Sequence, residues 1–325
     1  AVGKTISMDE IMQMYVYIPR YKYQLFNAED GTSVEQAINI TFESKTTAKS
    51  TGIKNGQWLT HPAFTFGDKE LAGIWVGKFE TSNTSALPKI VPNVSSLRDM
   101  SVSEEFNTSR LMTTTLASTY GTSTNDDSHM MKNIEWGAVA YLSSSIYGRY
   151  TNASTCIESG CDVWINNNEN YTTGCAGSSV SASSASTCNA WNTSTGVNAS
   201  TTGNIYGIYD MSGGEAEDVM GNYNDTISES GFSSMPEAKY YDKYTGTDSE
   251  SDFAKYHLGD ATKETLKTKS TRVNAWYGDW NCSVYSSNPW VYRGGGYYSG
   301  SIAGMFYFDY GTGGGYSFRV ALGAL

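Results

Sequence analysis

A single α+β domain is the fold class predicted for this chain, spanning residues 1–325. The expectation rests on four segments that occur in a fixed order. They are Ile74–Thr81 (IWVGKFET), Ile134–Tyr141 (IEWGAVAY), Asn204–Gly214 (NIYGIYDMSGG) and the run from Tyr292 to Leu325, which begins YRGGGYYSG and ends SFRVALGAL. Val16–Pro19 (VYIP) opens the domain ahead of them.

The elements follow in chain order. Val16–Leu25 (VYIPRYKYQL) alternates bulky and polar side chains around a proline, which predicts an edge strand. Ile38–Phe42 predicts a second short strand. Met100–Phe106 and Arg110–Ser118 space their apolar residues at roughly helical intervals. Met130–Leu142 predicts a third helix, preceded by Asp126, Asp127 and Ser128, whose side-chain oxygens suit orphan backbone N–H groups. Residues 151–202 are dominated by Ser, Thr, Asn and Gly and read as a surface insertion, not a separate domain. Asn204–Tyr223 carries strand and turn signals, and Ser228–Ser270 reads as an irregular excursion with one short helix.

Composition narrows the partners. The chain is 39% hydrophobic and 13% aromatic, enough to bury a sizeable core, and carries a formal net charge of −11. Nucleic acid and anionic membranes reward clustered Lys and Arg, so neither is an expected partner. No long apolar run marks a transmembrane helix, and no direct membrane contact is expected. The Ala1-Val2 start suggests processing, with any export or anchoring segment lying upstream.

Four of the five cysteines fall in the polar insertion. Loops closed by Cys156–Cys161 and Cys175–Cys188 are sterically natural, although four cysteines allow three pairings. Zinc is the competing reading, but the spacings fit its usual patterns poorly and no histidine accompanies them. Disulfides are therefore expected, with an oxidising, extracytoplasmic compartment. Cys282 is left over.

The region from residue 275 to 325 mixes Tyr, Ser, Asn, Asp, Gly and Thr in the manner of an antibody paratope, where tyrosine gives stiff amphipathic contact area and small polar residues adapt. A Gly/Tyr-rich run of edge strands and tight turns is the alternative. The candidate ligand-binding residues are Tyr277, Asp279, Asn281, Tyr292, Tyr297, Tyr298, Ser299, Ser301, Tyr307, Asp309, Tyr310, Thr312 and Tyr316. Alternation through Met305–Asp309 sends successive side chains to opposite sides. Arg293, Ile302, Ala303, Phe306, Phe308, Phe318, Arg319 and Val320 form the expected frame.

The ordered motifs resemble the formylglycine-generating-enzyme-like (sulfatase-modifying-factor) branch of the C-type-lectin fold. There an RGG segment leads through a long loop to a closing GFRV-type strand, matched here by Arg293-Gly294-Gly295 and Phe318-Arg319-Val320. Ile74–Thr81 looks like that branch's GKYEVT strand, Ile134–Tyr141 like its helix start, and Asn204–Gly214 like its GLYDM turn. The resemblance implies the C-type-lectin form of an α+β fold over nearly the whole chain.

Enzymatic readings fare worse. The family's oxidase depends on a cysteine pair near the RGG segment, and Arg293–Leu325 contains no cysteine. Related iron enzymes bring several histidines together, whereas His61, His129 and His257 stand in separate settings. A metal enzyme of the same fold is kept as the alternative. The family's GNVWEW turn often holds calcium, and Glu217 matches its Glu, although Gly214 and Ala216 replace its Asn and first Trp. Glu217 is the candidate ligand for a structural calcium, or else part of a solvated turn. No other cofactor is expected.

The tyrosine-rich region is further similar to the variable proteins of diversity-generating retroelements, which mutate adenines to mixtures of Tyr, Asn, Asp, Ser, Gly, Cys and Thr. Cys282 within the set fits such a lottery. The motif set also resembles a group of gut-bacterial surface proteins in which a prepilin-like segment precedes this domain. That resemblance implies a non-enzymatic adhesin or receptor-like protein, extracellular or on the bacterial cell surface, joined to a pilus or surface assembly through an upstream segment. A protein ligand is expected before a carbohydrate, because the lectin calcium motifs EPN and WND are absent. A phage receptor-binding protein on a virion is the other reading.

Overall fold

The computed structural model describes residues 6–29 and 31–324. Two sheets organise it. In chain order their strands are β1 (Tyr15–Pro19), β2 (Gly73–Gly77), β3 (His129–Met130), β4 (Glu217–Tyr223), β5 (Asp242–Tyr244), β6 (Trp290–Gly294), β7 (Gly304–Gly311), β8 (Ser317–Phe318) and β9 (Val320–Ala324). The first sheet has the order β1-β2-β9-β3 and is antiparallel throughout. Strands from both ends of the chain thus flank β2. The second has the order β5-β4-β6-β7, with β8 parallel beside β4. Smaller ribbons and a three-stranded sheet centred on Tyr21–Gln24 complete the β structure.

The architecture is mainly β, with 29% strand and 17% helix, which corrects the expected α+β lectin-type class. The helical expectations shrink for local reasons. The two segments at 100–118 give one helix, α1 (Val102–Leu111), followed only by the short turn Ala117–Tyr120. Ser101 caps α1, accepting from the Glu104 N–H while the Glu104 carboxylate accepts from the Ser101 N–H at 2.9 Å. The helix expected from Met130 begins as α2 at Asn133–Ser143, because His129 and Met130 pair with Ala321 and Val320 instead.

The predicted strand Val16–Leu25 breaks at Arg20. This side chain is fully buried, donating to Glu70 at 2.7 Å, so the chain passes from the edge of one sheet into the centre of another. Both expected disulfides are present, Cys156–Cys161 and Cys175–Cys188. Asn166 donates to Asp210 at 2.9 Å, and Trp191 meets Phe79 and Tyr209 edge-on, so the stapled segment docks on the core. The excursion at 228–270 contributes β5, parallel to β4, and three short 3₁₀ turns.

One contiguous apolar cluster runs from Ile18 to Ala321. Trp136, Trp276 and Trp290 are its largest members, and each indole N–H is satisfied, by the Met305 carbonyl, Ser33 Oγ and the Ile227 carbonyl respectively.

Candidate functional site

The register of the second sheet sorts the tyrosine-rich segment. Across β4, β6 and β7, Asp218, Tyr292 and Asp309 lie in one row, and Glu217, Arg293 and Phe308 lie in the next. Adjacent rows point to opposite sides.

The inner side carries the frame. Arg293 is fully buried, donates to Thr262 Oγ1 at 3.0 Å and to the Met305 carbonyl at 3.1 Å, and lies over Trp136 and Phe308. Burial lowers its pKa to about 10, against the opposing charge of Asp260. Arg319 clamps the two sheets together: Nη1 donates to the Gly77 carbonyl of β2 at 2.7 Å, and Nε to Glu217 of β4 at 3.0 Å. A second, shorter contact joins Nη2 to the same carboxylate. Phe306 and Phe318 are buried beside them, as expected of the frame.

The outer side holds a tyrosine cluster around one carboxylate. Tyr292 donates to Asp309 Oδ2 at 2.8 Å and Tyr307 donates to the same oxygen at 3.2 Å. The Tyr292 ring lies 4.3 Å from that of Tyr316. Burial pushes the Asp309 carboxyl up, and the hydroxyls that donate to it oppose the shift. Asp218, below Tyr292, is pushed up to about 8 by burial, against a hydrogen bond from the Tyr316 backbone.

Beyond β6 the chain turns at Gly294 and Gly295, whose φ values of +82° and +70° are left-handed and favour glycine. This turn lifts Tyr297 and Tyr298 to the surface, with Tyr298 64% exposed. Ser299 is half-buried and accepts from the Gly296 N–H at 3.1 Å, while Ser301 and Thr312 are exposed.

The other candidates lie elsewhere. Tyr310 belongs to the inner row; it donates to Glu250 at 2.6 Å and meets Tyr285 edge-on. Tyr277, at φ +60°, is half-buried against Phe306, its N–H donating to Glu35 and its hydroxyl meeting that of Tyr150. Three residues expected at the surface are buried, which is a correction. Asp279 accepts from the Phe306 N–H at 2.9 Å, Asn281 accepts from Tyr256 at 2.6 Å, and Tyr307 forms the floor of the outer cluster. Cys282 is buried too, and desolvation pushes its thiol up to about 12.

Glu217 does not face a calcium site. It lies in the fully buried strand β4, and the Arg319 guanidinium occupies its carboxylate, so the reading of Glu217 as part of a solvated turn is also corrected. Among the described residues no group of three or more His, Cys, Asp or Glu is arranged to hold a metal ion. Two histidines serve the interior, His61 accepting from the Ala63 N–H and His129 meeting Glu135 at 3.0 Å, while the exposed His257 stacks on Tyr244. Burial lowers the His61 pKa to about 3.

Sequence reasoning missed Arg98 and Tyr171. The Arg98 guanidinium lies 4.1 Å from the Tyr171 ring centroid, and Tyr171 meets Tyr297 edge-on at 5.2 Å. The available signal was a lone tyrosine in the polar stretch between Cys161 and Cys175.

No family model matches the chain, and no curated protein matches it.

Proposed function

We propose that this chain is a non-enzymatic, adhesin- or receptor-like protein that binds a protein ligand through the outer side of β6 and β7 and the turn that joins them. The observation carrying this reading is the layered contrast of that sheet. Half-buried and exposed tyrosines stand over a floor of Tyr307 and Asp309, with an inner side locked by Arg293 and Arg319. Contact side chains held in place before binding lose little further freedom when a ligand arrives. The reduced contact set is Tyr292, Tyr297, Tyr298, Ser299, Ser301, Asp309, Thr312 and Tyr316. Tyrosine in such positions gives broad contact area with few rotatable bonds, and the serines and threonine adapt around it.

The two disulfides fit an oxidising compartment, and no helix among the described residues is long and apolar enough to cross a membrane. The disulfides and the motif resemblance support display on a bacterial surface or pilus, and the resemblance supports a contact set diversified by a retroelement. Sequencing the encoding locus tests the reading. The expected result is a neighbouring reverse-transcriptase gene and a near-identical template repeat, with adenine-directed differences confined to contact codons such as Tyr292, Tyr298 and Tyr316. A locus without the repeat, or differences spread equally over Arg293 and Arg319, overturns the diversification. Neighbouring virion genes would move the protein to a phage particle.

A further inference from the structure

A ladder of edge-to-face ring contacts crosses from the disulfide-stapled insertion to the tyrosine turn. Arg98 lies over Tyr171 at 4.1 Å, Tyr171 meets Tyr297 at 5.2 Å and 90°, and Tyr297 meets Tyr298 at 5.2 Å and 88°. One end is closed, because the Arg98 guanidinium already covers Tyr171. The other is open. The Tyr298 ring rests on Gly296, where an added Cβ would stand 2.8 Å from Cε1, and the residue remains 64% exposed.

Charge decides what suits the open end. Arg98 Nη1 lies 3.1 Å from the Asp99 carboxylate and 3.8 Å from that of Glu215. Glu215 also lies within electrostatic reach of Tyr298. One cation against two carboxylates leaves this patch net negative, on a chain of net charge −11. Tyrosine faces attract cations through their ring quadrupole, and guanidinium does so most often. The ladder already holds one guanidinium in this manner.

We propose that the ladder belongs to the binding surface and that its open end at Tyr298 receives an arginine side chain of a protein partner. The proposal rests on the binding reading above and deepens it. Arg98 and Tyr171 then form a fixed part of the surface, supplied from outside residues 275–325, while Tyr298 presents the open face.

The test uses the whole disulfide-bonded protein with ¹³C-labelled tyrosine rings, titrated with a blocked tri-arginine peptide and its citrulline counterpart, and followed by NMR. Citrulline keeps the planar shape and removes the charge. The arginine peptide is expected to shift the Tyr298 and Tyr297 signals saturably, and the citrulline peptide to bind about 10-fold more weakly. Tyr298→Leu, which keeps bulk without a ring, is expected to lower arginine-peptide affinity by about the same factor. Arg98→Gln removes the competing cation and uncovers Tyr171, so affinity is expected to rise; a purely structural role for Arg98 would not raise it. Equal response to both peptides, or undiminished binding by Tyr298→Leu, overturns the proposal. An affinity that falls or stays level with Arg98→Gln overturns the part assigned to Arg98. Any of these failures leaves the locus test untouched, so the two readings fail separately.

Discussion

Tyr292 and Arg293 are neighbours in the chain and opposites in the fold. Arg293 points to the inner side of β6, where its charge is enclosed by backbone carbonyls, Thr262 and two aromatic rings. Tyr292 points to the outer side, where it packs on Tyr316 and shares Asp309 with Tyr307. A strand sends alternate side chains to opposite sides, so one short segment builds both the clamp and the contact surface. The inner side tolerates little, because removing one member leaves a buried charge or donor without its partner. The outer side is graded: Tyr307 is a floor, Tyr292 and Tyr316 are half-buried, and Tyr298 is open.

The largest effect is expected on the inner side. Arg319→Ala leaves Glu217 buried opposite an emptied site and releases the Gly77 and Tyr209 carbonyls. Breaking a buried pair from one side costs about 3–5 kcal/mol, measurable by urea denaturation. The double variant Arg319→Met/Glu217→Leu, which removes both charges, is expected to recover much of that loss. A loss below about 1 kcal/mol for Arg319→Ala would show that the clamp does not join the two sheets.

A second contrast can be sharpened with pH. Asp218 sits beneath Tyr292 with its pKa raised by burial from 3.8 to about 8, and Glu105 is also raised, by burial first and then by the Asp218 charge. The folded state therefore keeps protons that the unfolded chain releases above its ordinary carboxyl pKa. The stability these groups contribute is fully present below about pH 4 and falls as pH rises towards 8. Thermal midpoints are expected to decline from pH 5 to pH 8. Asp218→Asn, which cannot ionise, should flatten that decline; an unchanged slope in this variant would remove Asp218 from the account.

Parts of this arrangement were legible beforehand. Arg293, Phe306, Phe318 and Arg319 are buried as their motifs implied, and the two disulfides form between the cysteines that their local spacing suggested. The α+β class was not a safe reading. Apolar spacing at Met100–Phe106 and Arg110–Ser118 fits two helices, yet Val102–Leu111 forms a single one across both, with one further helical turn at Ala117–Tyr120. His129–Met130 is drawn into a sheet by β9. Such pairing joins residues far apart in sequence, which no local pattern reports. Tyr307, Asp279 and Asn281 were misplaced for a related reason. Residue type and period-2 alternation say which side a residue takes, not what covers it. The residues that meet them are Tyr292 for Tyr307, Phe306 for Asp279 and Tyr256 for Asn281, each brought there by tertiary packing. Tyr171 meets Arg98 and Tyr297 only because the insertion docks.

The smallest effects test the grading of the outer side. Tyr307 and Tyr298 are both tyrosines of the same segment, and their residue type alone gives no reason for them to differ. Tyr307 is 7% exposed and its hydroxyl donates to Asp309, an acceptor whose other donors are Tyr292 and the Tyr310 N–H. Tyr307→Phe keeps the ring and deletes one hydrogen bond to a partly buried carboxyl, so a loss of about 1 kcal/mol is expected. Tyr298→Ala removes a whole ring, yet that ring is largely in water, and the change in stability should stay within about 0.5 kcal/mol. The larger truncation is thus expected to have the smaller effect. Chemical denaturation of the two variants side by side checks this order. If Tyr298→Ala proved the more destabilising, Tyr298 would be part of the floor, and the open end of the contact surface would have to be sought elsewhere.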